Sequence, residues 1–148
     1  MATGKGPAFS DLTRDESLEL LRRHHTGRLA FAFHDRVDIE PISYVYSDGW
    51  LYARTSSGTK LETVQHHPWV AFEVDEVHGR FDWQSVVVRG AIYFLDTSAG
   101  EREAYHHAVD ILRTVDPTAF TEEDAVPHRT RVFRIHADEL TGRRASAG

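Results

Sequence analysis

Cysteine is absent from the 148 residues, which excludes a disulfide framework, thiolate catalysis and Cys-ligated zinc or iron–sulfur clusters. No apolar run approaches the length of a membrane span, and the opening MATGKGPAFS lacks the apolar core of a secretory signal, so a cytoplasmic protein is expected. A surplus of positive charge is missing too: the formal net charge is −6, which argues against a general nucleic-acid binder. There is no Gly-x-x-x-x-Gly-Lys-Ser/Thr loop and no Gly-x-Ser-x-Gly elbow, so neither a nucleoside-triphosphate site nor α/β-hydrolase chemistry is indicated. The rest is ordinary for a folded domain, with 41% hydrophobic and 27% charged residues. The length fits one domain, to which a partner subunit would add burial. Flexible tails are expected over 1–11 and 141–148, around a single domain at 12–140.

Period and punctuation give the elements. Thr13-Arg14-Asp15-Glu16 is a capping box that predicts a helix to about His24, with Leu18, Leu21 and Leu20 inward and Gly27 as its stop. Period two then takes over, with Leu29, Phe31 and Phe33 on one face of a strand. A second strand covers 39–46, where Pro41 implies an edge or a bulge. Asp48-Gly49 is a hairpin turn leading to a strand over 50–55. A short helix over 60–65, a strand over 69–75 and a polar loop over 75–82 follow. The longest β signal, 83–96, carries three consecutive valines, which suggests cover on both faces, and Gly90, which suggests a bend. Ser98-x-x-Glu101 reads as another capping box. Its helix buries Ala104, Tyr105, Ala108, Ile111, Leu112 and Val115, and Pro117 follows its end. A helical turn at 121–125 and a strand over 130–136 complete the order. Six strands with tight turns and few crossovers predict a mainly β, six-stranded antiparallel barrel with flanking helices.

The segment DGWLYARTSSGTKLE (48–62) is the most informative. A strand delivers Arg54 and Thr55, a loop delivers Ser57, and the capping box Thr59-x-x-Glu62 starts a helix with Lys60 in its first turn. Amides, a helix dipole and cationic side chains there would suit a phosphate; the plain alternative is a polar loop before an ordinary capped helix. The pairs His24-His25, His66-His67 and His106-His107 point apart on a helix and read as solvated faces rather than metal ligands. Glu73 and Asp75 read as a solvent-facing strand edge. Trp50, Trp69 and Trp83 suit a core or a subunit interface.

The ordered set GRLAFAF (27–33), EPISYVY (40–46), LYARTSSGTK (51–60), HHPWVAFEVD (66–75) and WQSVVVRGAIYFLD (83–96) resembles the pyridoxamine 5′-phosphate oxidase-like flavoproteins. It is most similar to their small nitroimidazole-reductase branch. The resemblance implies a split β-barrel, a homodimer and FMN at the dimer interface. It places the FMN phosphate on Arg54, Thr55, Ser57 and Lys60. The isoalloxazine ring would lie along Pro41, Ile42, Ser43, Tyr44 and Val45, and Trp83, Gln84 and Ser85 would approach the flavin from the side, often from the other subunit. Many relatives have His where Arg54 stands, and the arginine-rich C-terminal segment of the true oxidases is missing, so vitamin B6 oxidation is not expected. The implied activity passes electrons from a reduced nicotinamide to a small acceptor, with Tyr44, His34 or solvent as proton donor. A heme- or deazaflavin-binding member of the same fold and a non-catalytic flavin-binding or sensing module are the alternatives.

Overall fold

The computed structural model describes residues 6–58, 61, 64, 68–98 and 100–147. Its elements are β1 (Ala8–Asp11), α1 (Arg14–Arg23), β2 (Thr26–Phe33), β3 (Arg36–Ser47), β4 (Trp50–Thr55), β5 (Trp69–Gly79), β6 (Asp82–Leu95), α2 (Arg102–Arg113), β7 (Arg131–His136) and β8 (Glu139–Ser146). All pairings are antiparallel. The strands run β1-β8-β6-β5-β2-β3-β4-β7, and β7 also pairs with β6. That last pairing closes six strands into a barrel, and β8 and β1 continue the sheet beyond it. No helix among the described residues is long and apolar enough to cross a membrane.

The strand β6 makes this shape possible. Its first half lies between β5 and β8, while its second half lies beside β7. The partner changes at Gly90, where a Cβ would sit 1.7 Å from the His136 carbonyl oxygen. Only glycine lets the two backbones come that close. The hairpin loop between β3 and β4 has positive φ at both central residues, Asp48 and Gly49 (49° and 90°), as a two-residue turn matched to strand twist requires.

The inward faces of the strands form one core that includes Leu29, Phe31, Tyr44, Phe72, Val86 and Phe133, and α1 adds Leu20 and Leu21. The Thr13 capping box is made in full: the Glu16 N–H donates to Thr13 Oγ1 (3.1 Å), and the Thr13 N–H donates to Glu16 Oε1 (2.9 Å). The helix α2 lies on the outside, its Ala108, Val109 and Leu112 packed against Val45, Tyr52, Leu95 and Val132.

Several sequence expectations need correction. Leu18 is only partly buried, and Ser17 takes an inward position instead. Gly27 does not stop α1, which ends at Arg23; it lies in β2, where a Cβ would meet the Phe72 ring at 2.3 Å. The expected polar loop at 75–82 is hairpin, paired as far as Gly79 and Asp82. Its charge misled the pattern: Glu76 is solvated by α1, through Arg23 (2.7 Å) and His24 (3.0 Å). Ser98 and Glu101 form no capping box. Helix α2 has no side-chain cap, and the Glu101 carboxylate instead accepts from the Asp96 N–H (3.2 Å). Val115 is exposed rather than buried. Val86 and Val88 face the core, but Val87 is only half-buried on the outer face. The segment 121–125 is a hydrogen-bonded turn rather than a helix, closed by Asp124 N–H to Thr121 O (3.1 Å). Residues 8–11 and 141–146, which read as tails, are strands paired with each other, and β8 is paired to β6 as well.

Candidate functional site

A cleft opens where β3 and β4 part. β3 pairs with β2 along 36–43, but its register with β4 begins only at Tyr44. Pro41 therefore sits in a locally one-sided strand, as a residue without an N–H should. The Tyr44 N–H donates to the His25 carbonyl (2.9 Å). By the alternation of an antiparallel ladder, the backbone polar groups of Pro41 and Ser43 then turn the other way, into the cleft.

The cleft has two adjoining lobes. The polar lobe, about 370 Å³, is lined by Glu40, Pro41, Ile42, Thr55, Ser56 and His128. The apolar lobe, about 250 Å³, is lined by Val45, Leu112, Val115, Ala119 and Val126, together with the buried Tyr44 and the exposed His25. Thr26, Ser43, Arg54 and Arg129 line both.

Arg54 is held more firmly than a waiting phosphate ligand would be. Its guanidinium donates to both Asp124 oxygens (2.7 and 2.9 Å), to the Arg129 carbonyl (3.3 Å) and to Asp116 (3.4 Å). It also lies 4.6 Å from the centre of the Phe120 ring. Hydrogen bonds from Arg54 and from the Phe120 and Val126 amides hold the Asp124 carboxyl well below the usual carboxylate range, and Asp124 holds the guanidinium pKa up in turn. The pair thus fastens the segment between α2 and β7 over the cleft. Arg129, half-buried on the same segment, makes no ion pair among the described residues. Nothing in the local pattern around position 129 marks it as a site residue, because its place depends on how the α2–β7 segment folds back.

The proton-donor candidates separate. Tyr44 is buried and its hydroxyl donates to the Leu21 carbonyl (2.8 Å), with burial pushing its pKa up. Those conditions unsuit it to release a proton. His34 occupies the β2–β3 turn at φ 57°, beside Phe33, Asp35 and Arg36, and does not line the cleft. His25 does line it, with Nδ1 3.3 Å from the Tyr44 carbonyl. The reading of Glu73 and Asp75 as a solvent-facing edge is also modified. Ser85 Oγ donates to Glu73 (3.0 Å), Arg28 lies 3.5 Å from Glu73 and 3.6 Å from Asp75, and burial holds the Glu73 pKa up.

A family model for pyridoxamine 5′-phosphate oxidase matches residues 13–144. The chain belongs to this family. A crystal structure of an FAD-binding protein from Mesorhizobium loti is 32% identical, with 94% of this chain and 99% of that one covered and a TM-score of 0.74. An uncharacterised protein of Rhizobium meliloti strain 1021 is 28% identical over 93% of this chain and 95% of its own length. A Bacteroides thetaiotaomicron protein named for 5-nitroimidazole antibiotic resistance shares the fold at 17% identity, with 94% and 89% covered and a TM-score of 0.69.

The residues that the family resemblance singles out divide into groups. Pro41, Ile42, Ser43, Tyr44, Val45, Arg54 and Thr55 all line the cleft of this pyridoxamine 5′-phosphate oxidase family member. Ser57 is in an exposed turn outside the lining, where Ser56 takes the position nearer the cleft. Thr59, Lys60 and Glu62 lie outside the described residues, although Leu61 and Val64 between and after them are buried. Trp83, Gln84 and Ser85 are on the β5–β6 hairpin and do not line the cleft of their own chain; Gln84 faces Arg23 of α1.

Proposed function

We propose that this chain is a flavin-binding oxidoreductase that takes electrons from a reduced nicotinamide and passes them to a small acceptor. The observation that carries it is the polar lobe. The strand edge at Pro41 and Ser43 turns backbone polar groups into the lobe, while Thr55, Ser56 and Arg129 gather hydroxyls and a cation there. Those are the two chemistries that a flavin nucleotide presents, a hydrogen-bonding ring and a phosphate. The FAD-binding protein from M. loti supports the same class of ligand. FMN is the simplest ligand of that class and is the one implied by the sequence segments.

The bound flavin would supply hydride acceptance and donation. The chain's own part is to bind and orient. Arg129, joined by Lys60, would hold the phosphate by charge-assisted hydrogen bonds. Ser43 and Pro41 would fix the ring edge through backbone groups. His25 and His128 are the imidazoles that line the cleft and would be at hand for a proton. A second copy of the chain would complete the site. Trp83, Gln84 and Ser85, which do not line their own cleft, would serve the partner's, and the outer face of β3, β2 and β5 exposes Val37, Ile39 and Trp69 for a two-fold contact. The engagement of the Tyr44 hydroxyl by Leu21 favours a second reading, a flavin-binding module without turnover.

Anaerobic addition of a reduced nicotinamide to the flavin-loaded protein separates the two readings. Bleaching of the flavin bands is expected, and persistent bands would favour the non-catalytic module. A Soret band in the purified protein would replace both with heme. Arg129→Ala is expected to weaken flavin binding about tenfold, the size of one charge-assisted contact to a phosphate. Unchanged affinity in a titration would remove Arg129 from the site.

A further inference from the structure

A separate cavity, about 590 Å³, opens between the second half of β6, β7 and the start of α2. It shares no lining residue with the two lobes of the cleft. Arg134 lines it, in a placement that stability does not explain. Its guanidinium carbon lies 3.9 Å from the centre of the Trp50 ring. Its Nε is sealed from solvent without a hydrogen-bond partner, and among the described residues it forms no ion pair. A buried donor left unmet opposes folding, so its retention calls for another reason. We propose that this cavity is a second binding site, for a small aromatic carboxylate, with the carboxylate on Arg134 and the ring against Tyr93.

The ligand class follows from the lining. Tyr93 is the register partner of Arg134 and is 48% exposed. Its ring stands edge-on to Trp50, with the centres 5.9 Å apart. A guanidinium over one aromatic ring, with a second and exposed ring beside it, suits a planar anion that carries a ring of its own. Pro68, Leu95 and Ala104 continue the apolar wall. Arg131 also lines the cavity but is already engaged. It lies 5.2 Å from the centre of the Phe94 ring, and its charge adds to the Ser98 hydrogen bonds that hold the Asp96 pKa down. Arg134 is therefore the cation left for a ligand. Asp96 and Glu101 line the same cavity and limit the charge it accepts. Arg134 answers one negative charge, whereas a second would face two carboxylates. That disfavours a phosphate monoester, which carries close to two charges at neutral pH, and favours a carboxylate, whose two oxygens match the planar guanidinium fork. The site is independent of the flavin reading, because a flavin in the cleft leaves this cavity open.

The test is a calorimetric titration with benzoate, on the unaltered protein with and without saturating FMN, and on Arg134→Met and Arg134→Lys. Benzoate is expected to bind equally well with and without FMN. Arg134→Met should weaken it about tenfold or more, the size of a charge-assisted contact. The melting temperature of that variant should not fall, because the substitution removes an unmet donor and keeps an apolar stem against Trp50. Arg134→Lys keeps the charge without the fork and should weaken benzoate as well, so the assignment does not rest on one variant. Phenyl phosphate and acetate should each bind more weakly than benzoate, the first for its second charge and the second for its missing ring. No binding of benzoate, its displacement by FMN, or undiminished binding in both variants would overturn the site. Phenyl phosphate or acetate binding as tightly as benzoate would overturn the ligand class. Failure of FMN to bind would count against the flavin reading alone, since the benzoate titrations of the flavin-free protein stand by themselves.

Discussion

At position 54 a guanidinium faces two carboxylates, and that arrangement decides how the cleft is walled. Asp124 accepts four hydrogen bonds, two from Arg54 and one each from the Phe120 and Val126 amides. The contacts also hold Phe120 at φ 64°, a left-handed conformation that an aromatic residue does not adopt unaided. Asp124→Asn leaves Arg54 without its main counter-charge, so the variant should melt at a lower temperature at neutral pH. Amide exchange over 116–126 should rise before exchange in the barrel does. The sign of the pH dependence follows from the lowered pKa of Asp124. The stabilisation is fully present above the ordinary aspartate pKa, so the difference in melting temperature should shrink from about pH 4 downward. A difference that persists unchanged into acid would mean that Asp124 acts through shape rather than charge.

At the scale of elements, the β5–β6 hairpin carries its polar groups in two ways. Glu76 is held down to a pKa of about 2 by Arg23 and then His24, so it stabilises the hairpin down to acidic pH. Glu73 is different, because burial and Asp75 push its pKa up. A raised carboxylate favours the fold in its protonated form, and that advantage is lost as pH rises through the folded pKa. Glu73→Gln should therefore raise the melting temperature slightly at neutral pH and above, with little change near pH 4. A lowered melting temperature at neutral pH would show instead that the Arg28 contact dominates. This hairpin also marks the limit of what the sequence made legible. Alternating apolar residues located β2, β7 and the first part of β5, and the Asp48-Gly49 turn located β4 and placed β3 against it. The charges at 75–82 hid the rest of the hairpin because their partners lie on α1, far away in sequence. β8 was hidden for a similar reason: a strand of mixed polar residues becomes regular only because β6 offers it an edge. In the site, the end of β4 was readable from local pattern and the strand Pro41 to Val45 only through the family resemblance, while Arg129 and the pairing of Arg54 depend on how 116–129 folds back.

The whole molecule presents an outer sheet face on which Ile39, Ala30 and Ala71 lie side by side in register. Ile39 is 65% exposed and Val37 81%, and Val87, half-buried in one chain, lies on the same outer side. If a second copy covers this face, Ile39→Lys should shift the native mass from dimer to monomer while the far-ultraviolet spectrum stays unchanged. A monomeric unaltered protein would remove the partner from the proposed site. The closing position of β7 has a consequence for how the chain is made. β7 fills the gap between β4 and the second half of β6, yet it follows both by a long helix and a long loop. During synthesis the two flanking strands leave the ribosome with open hydrogen-bonding edges and wait for their shared neighbour. That interval, rather than the finished fold, is when the nascent chain is most exposed to pairing with the wrong strand.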